Sequence, residues 1–160
     1  MVALARMDKK YVIVAFKKAW HPWLDNWAAF FIWIKSGFKN VCHVEISFSN
    51  GYSWSSDSER GVRFKRISYS HRDWWFFVRW DLDNPNFTQY DNEQALHGKC
   101  KEYVGMGYDF LGCLGEALDN NNMQDKNRLY CSEAVAYVMG IKPAQIKPSE
   151  LMDILRRGKL

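Results

Sequence analysis

Cys131 is the residue of this chain best placed to act as a nucleophile. It stands in residues 127–140, Asn-Arg-Leu-Tyr-Cys-Ser-Glu-Ala-Val-Ala-Tyr-Val-Met-Gly, where a polar opening gives way to an apolar stripe of Ala134, Val135, Val138 and Met139. That spacing predicts a helix, and Gly140 directly behind it is the usual left-handed stop. Cys131 then falls at or just inside the helix N-terminus. Unpaired backbone N–H groups and the helix dipole there favour a thiolate over a thiol. A cysteine so placed is either a nucleophile or an ordinary buried small residue. As a nucleophile it needs a base.

The base that fits is His43. Residues 41–49 alternate cleanly, with Cys42, Val44, Ile46 and Phe48 on one face and Val41, His43, Glu45, Ser47 and Ser49 on the other. On its own, that polar face could be the solvated side of a half-exposed strand, or it could line a cleft. Thiol catalysis requires a thiolate, an imidazole within reach, and a polar group that orients the imidazole. A helix starting at Cys131 and packed on a sheet carrying His43 supplies the first two. The other histidines fit less well: His21 precedes Pro22 in a loop, His71 falls in a turn, and His97 lies on a surface helix. Glu45 shares the His43 face and carries a charge suited to an imidazolium.

Several elements must position these residues. Residues 11–16 form a β-branched run and read as a buried strand. Trp23, Leu24, Trp27, Phe30, Phe31 and Ile34 recur at helical spacing before Gly37. The polar-apolar strand 41–49 runs into Asn50-Gly51, a strong hairpin signal, so residues 52–56 should return antiparallel. The loop length decides a site question. A two-residue Asn50-Gly51 turn puts Ser56 on the His43 face, and a loop one residue longer brings Ser55 there instead. Residues 62–67 and 74–80 read as two further strands, residues 91–104 as a helix, 107–118 as a glycine-containing helix or two short turns, and Pro148-Ser149 as the start of a last helix through Leu155. Successive strands without a βαβ rhythm, followed by helices, predict an α+β fold with an antiparallel sheet, in one domain spanning 1–160.

Composition narrows the function classes. The net charge is +4 over 160 residues, but the basic side chains are scattered. No stripe suggests a nucleic-acid groove, so no nucleic-acid partner is expected. The four cysteines, Cys42, Cys100, Cys113 and Cys131, make no CxxC pair, which points away from a disulfide scaffold. His97-Gly-Lys-Cys100 has a metal-ligand spacing without a second pair to complete it, so neither metal nor cofactor is expected. The chain begins without the long apolar region of a signal peptide, and residues 27–34 are too few to span a bilayer. The cytoplasm is the default expectation. Trp20, Trp23, Trp27, Trp74 and Trp75 read first as core residues, with an apolar substrate groove or a membrane-surface contact as the alternatives.

Four segments carry a resemblance. Leu129-Tyr-Cys-Ser-Glu-Ala-Val135, followed by Ile146-Lys-Pro-Ser-Glu-Leu151, resembles the C-terminal half of the circularly permuted NlpC-like cysteine hydrolases. Val41-Cys-His-Val-Glu-Ile-Ser-Phe-Ser-Asn-Gly51 resembles their histidine strand and hairpin, and Tyr108-Asp-Phe-Leu-Gly112 the segment before their nucleophile. The order histidine strand, sheet, cysteine helix is the permuted one. The resemblance implies a papain-like fold, its central antiparallel sheet packed against the nucleophile-bearing helix, and attack on a carbonyl through an acyl-thioester. Its wider circle takes in cell-wall peptidases and amidases and the lecithin–retinol-acyltransferase-like enzymes, so a peptide or acyl substrate is implied. A phage-encoded member would be carried in a virion or delivered to a host. The family's third polar group lies further along the sheet, where this chain has Ser55 and Ser56. Glu45 is the charged alternative, and Tyr130 is a nearby group that could support an oxyanion beside the Cys131 N–H. A papain-fold binding or assembly module without turnover is the competing class.

Overall fold

The computed structural model describes residues 7–18, 41–69, 71–109, 127–141 and 146–158. Among them are five strands: β1 (Tyr11–Lys18), β2 (Val41–Ser47), β3 (Tyr52–Asp57), β4 (Gly61–Arg66) and β5 (Trp75–Asp81). Three helices follow: α1 (Glu93–Lys101), α2 (Cys131–Met139) and α3 (Pro148–Arg157). The architecture is α+β. The aromatic run 23–34 and most of the segment 107–118 lie outside the described residues.

All the strand pairs are antiparallel, in the order β4-β3-β2-β1-β5. Local sequence accounts for the hairpins β2-β3 and β3-β4, but not for β1 lying between β2 and β5. That position is a long-range choice. It puts the apolar run Val12, Val14 and Phe16 at the middle of the sheet, where Phe16 faces Val44 and Phe76 on its neighbours. Pairing keeps opposite residues on the same face, so Val12, Val14, Phe16, Val44, Ile46, Trp54, Val62 and Trp80 form one apolar surface. All of them are buried.

The helices lie on that surface. Helix α2 packs over β2 and β3, and α3 over β2 and β5. Cys131, Ala134, Val135, Val138 and Met139 complete the apolar cluster with Leu96, Leu151 and Leu155. At roughly 1.5–3 kcal/mol for each large side chain buried, this cluster is the main source of stability. Helix ends are closed locally. The Asn92 side chain accepts from the Ala95 N–H at 3.0 Å, capping α1. Gly140 ends α2 at φ 73, where an added Cβ would meet the Thr88 hydroxyl.

The β2-β3 loop is the longer of the two forms. Phe48 N–H donates to the Tyr52 carbonyl at 2.8 Å, and Gly51 N–H to the Phe48 carbonyl at 3.2 Å. Ser49, Asn50 and Gly51 therefore make a three-residue loop, with Gly51 at φ 85. The Glu93 carboxylate takes both the Ser49 hydroxyl, at 2.5 Å, and the Ser49 N–H, tying the loop to the start of α1. A two-residue turn would forgo that anchor. The resulting register sets Ser47 opposite Ser53 and gives Ser55, not Ser56, to the His43 face.

Trp74 departs from the core reading. It is 37% exposed and stacks on His71, while among the described residues Trp54 and Trp80 are the tryptophans that fill the interior. Among the described residues, no helix is long and apolar enough to cross a membrane.

Candidate active site

Cys131 is the first residue of α2, as its sequence context predicts, and it is 2% exposed. Two contacts hold the approach to it. The Ser56 hydroxyl donates to the Leu129 carbonyl at 2.5 Å. The Glu133 carboxylate accepts the Tyr130 N–H at 3.4 Å, an acid in the first turn, where the helix dipole favours it. The Tyr130 hydroxyl accepts from the Ile146 N–H at 3.2 Å. Tyr130 thus fastens the segment leading into α3 to the start of α2. The hydroxyl of Ser132, the next residue of α2, is fully buried and has no hydrogen-bond partner among the described residues.

His43 is half-buried on β2, and its Nε2 lies 3.7 Å from Glu45 Oε2. That distance is long for a hydrogen bond and within reach of an ion pair when the imidazole is protonated. Glu45 is 1% exposed, where the strand pattern alone allowed a solvated side chain. Lys65 Nζ, from β4, reaches the same carboxylate oxygen at 2.6 Å. Burial raises a carboxyl's pKa, but His43 and Lys65 outweigh it and pull Glu45 down to about 2. Glu45 is therefore a buried, ionised group at neutral pH. Tyr69 closes over it. Its ring packs edge-on to Trp75 and Phe77, and its hydroxyl bonds with the Ser47 hydroxyl. Burial and the Glu45 charge push the Tyr69 hydroxyl well above its ordinary range, so it stays protonated.

The serines serve the backbone. Ser55 donates to the Val44 carbonyl at 2.6 Å, and Ser56, on the opposite face, holds Leu129. Of the groups considered for the third position, Glu45 is the one placed against the His43 ring. Cys131 and His43 come to the same end of the sheet. Leu129, two residues ahead of the thiol, meets Ser56 next to the Val44 row. They belong to different layers, however. Cys131 joins the apolar cluster with Val44 and Ile46, whereas the alternation of β2 turns His43 and Glu45 to the other face.

The other described cysteines and histidines are placed elsewhere, and His21 lies outside the described residues. Cys100 is in the core, and burial raises its thiol pKa well above the usual value. Cys42 is buried near the Lys17 carbonyl, and Cys113 is outside the described residues. His97 lies against Phe48 and Phe64, and burial lowers its pKa. Among the described residues, no group of three or more His, Cys, Asp or Glu side chains could hold a metal ion.

Sequence reasoning missed Lys65, Tyr69 and Ser132. Lys65 shares a face of β4 with Arg63 and so had a visible side, but nothing local links it to Glu45, two strands away. Tyr69 follows β4 in a segment without periodicity. Compared with family models, with curated proteins and with solved structures, the chain matches none.

Proposed function

We propose that this chain is a thiol-dependent hydrolase that cleaves an amide bond, in a peptide such as a peptidoglycan-derived one, or an ester bond. The acyl group would pass through a thioester on Cys131, with His43 as base and Glu45 orienting the imidazole. The observation that carries this reading is the ionised Glu45 carboxylate, buried against His43 Nε2 at the end of the sheet where the Cys131 helix begins. A buried charge is costly unless it is paired. Here the pairing includes an imidazole, which is the arrangement a general base needs.

The steps follow. Once the His43 ring comes within reach of the Cys131 thiol from across β2, it takes the thiol proton, and the sulfur attacks the carbonyl carbon, pushing the π electrons onto oxygen. The Cys131 N–H at the helix start, with the neighbouring Ser132 hydroxyl, donates to that oxyanion. The C–N or C–O bond breaks, and the leaving group takes the proton from His43. A water molecule, or another acceptor in an acyltransferase, then gives His43 a proton as it attacks the thioester. The C–S bond breaks and the thiolate returns.

A second reading has one observation in its favour. Cys131 lies in the apolar layer, across β2 from the His43 ring, which suits a binding or assembly module without turnover. Alkylation by iodoacetamide across pH, followed by intact mass, separates the two. The enzyme reading expects Cys131 to react well below pH ~8.5, the ordinary thiol value, ahead of the other cysteines. His43→Gln should move that reactivity up toward the ordinary value. An acyl adduct on Cys131 after incubation with peptidoglycan fragments, or with phospholipid, identifies the substrate class. If Cys131 reacts only when the protein unfolds, the module reading stands.

A further inference from the structure

We propose that Lys65 is a positioning residue for His43, acting through Glu45: it holds the carboxylate in place and takes up part of its charge. The inference rests on the reading above for the role of His43 as base, but its geometry and its test do not depend on turnover.

Lys65 belongs to β4, and β3 separates it from β2. Neighbouring strands lie about 4.8 Å apart, so the span from β4 to β2 is about 10 Å. A long unbranched side chain can bridge it only if the residues beneath are small. On this face β3 presents Ser53 and Ser55, both buried. Ser53 is paired with Lys65 on one side and with Ser47 on the other. The Lys65 chain crosses over these serines to reach the next row, where Glu45 stands. Two small serines on the returning strand leave room for this crossing, and the Ser53 hydroxyl has no hydrogen-bond partner among the described residues.

The sharing of a single oxygen matters most. Glu45 Oε2 is 2.6 Å from Lys65 Nζ and 3.7 Å from His43 Nε2. The ammonium holds the shorter contact, so His43 faces a partly neutralised carboxylate rather than a bare one. The other groups around the carboxylate do not take over this task. Tyr69 stays protonated and neutral, and Ser47 is engaged with it. Arg63 on β4 pairs with Asp57 at 2.5 Å. Lys17 on β1 stands opposite His43, not Glu45. Among the described residues, Lys65 is therefore the cation that divides the charge of Glu45. An opposite charge at this range favours the ionised form of a partner by about 1–3 pH units. The Lys65 side chain is a third exposed, so solvent screens part of its effect.

The test follows the His43 ring Cε1–H resonance against pH in the full-length chain. Lys65→Met should move the His43 midpoint up, because the carboxylate then faces the imidazolium alone. Lys65→Gln should do the same, since charge and not hydrogen bonding is at issue; it also serves if the methionine variant folds poorly. Lys65→Arg should restore a near wild-type midpoint. In a Glu45→Gln background, Lys65→Met should have less than about a third of its former effect. An unchanged midpoint in either folded Lys65 variant overturns the proposal. So does an equal rise in the Glu45→Gln background, which would mean that Lys65 repels His43 directly. If these shifts appear while Cys131 proves unreactive, the hydrolase reading fails and the Lys65 inference survives.

Discussion

Replacing Glu45 with glutamine keeps the shape of the side chain and removes its charge, so its effect on stability must depend on pH. The carboxyl falls from its ordinary 4.5 to about 2 in the folded chain, against the raising effect of burial. A drop of that size corresponds to about 3 kcal/mol in favour of folding when the group is ionised in both states. The sign follows from which state takes up the proton first. As pH falls, the unfolded chain protonates near 4.5 while the folded one holds out to about 2. The contribution is therefore complete above 4.5 and is lost between 4.5 and 2; near pH 3 about 2 kcal/mol of it has gone. Urea unfolding of wild type and Glu45→Gln, near pH 7 and near pH 3, measures this. Glutamine does not titrate, so the gap between the two proteins should narrow by about 2 kcal/mol on going to the acid side. Parallel stability curves would refute the account and leave Glu45 as a passive polar residue.

Three further outcomes are expected. Cys131→Ala should fold with little loss of stability, about 1 kcal/mol, since a methyl nearly fills the space of the thiol, and it should show no early alkylation; retained early labelling would assign the reactive thiol elsewhere. Ser56→Ala removes the donor to the buried Leu129 carbonyl and should cost about 1–3 kcal/mol; it should also alter the rate of Cys131 alkylation, because that bond holds the approach to α2, and an unaltered rate would detach Ser56 from the site. Gly140→Ala combines a left-handed φ with a Cβ built 2.3 Å from the Thr88 hydroxyl, and a loss of at least about 1 kcal/mol in thermal or urea unfolding is expected.

Some of this molecule is local, and local features are legible in the sequence. The apolar stripe behind Cys131 and the stop at Gly140 specify α2 because a helix closes its hydrogen bonds within a few residues. The alternation of residues 41–47 specifies β2, and with it the fact that His43 and Glu45 share a face, because side chains in a strand have a period of two. Asn50-Gly51 announces the hairpin. It does not announce the loop length, because a competing anchor, Glu93 on Ser49, comes from a helix more than forty residues away. That one residue decides that Ser55 rather than Ser56 lies with His43. Tertiary structure alone also decides that β1 enters the centre of the sheet, that Lys65 reaches Glu45 across β3, and that α2 covers the Val44 face and not the His43 face. These are pairings between segments far apart in the chain. Each is chosen by how apolar surface and buried charge are satisfied in the whole molecule, a balance that no local pattern records.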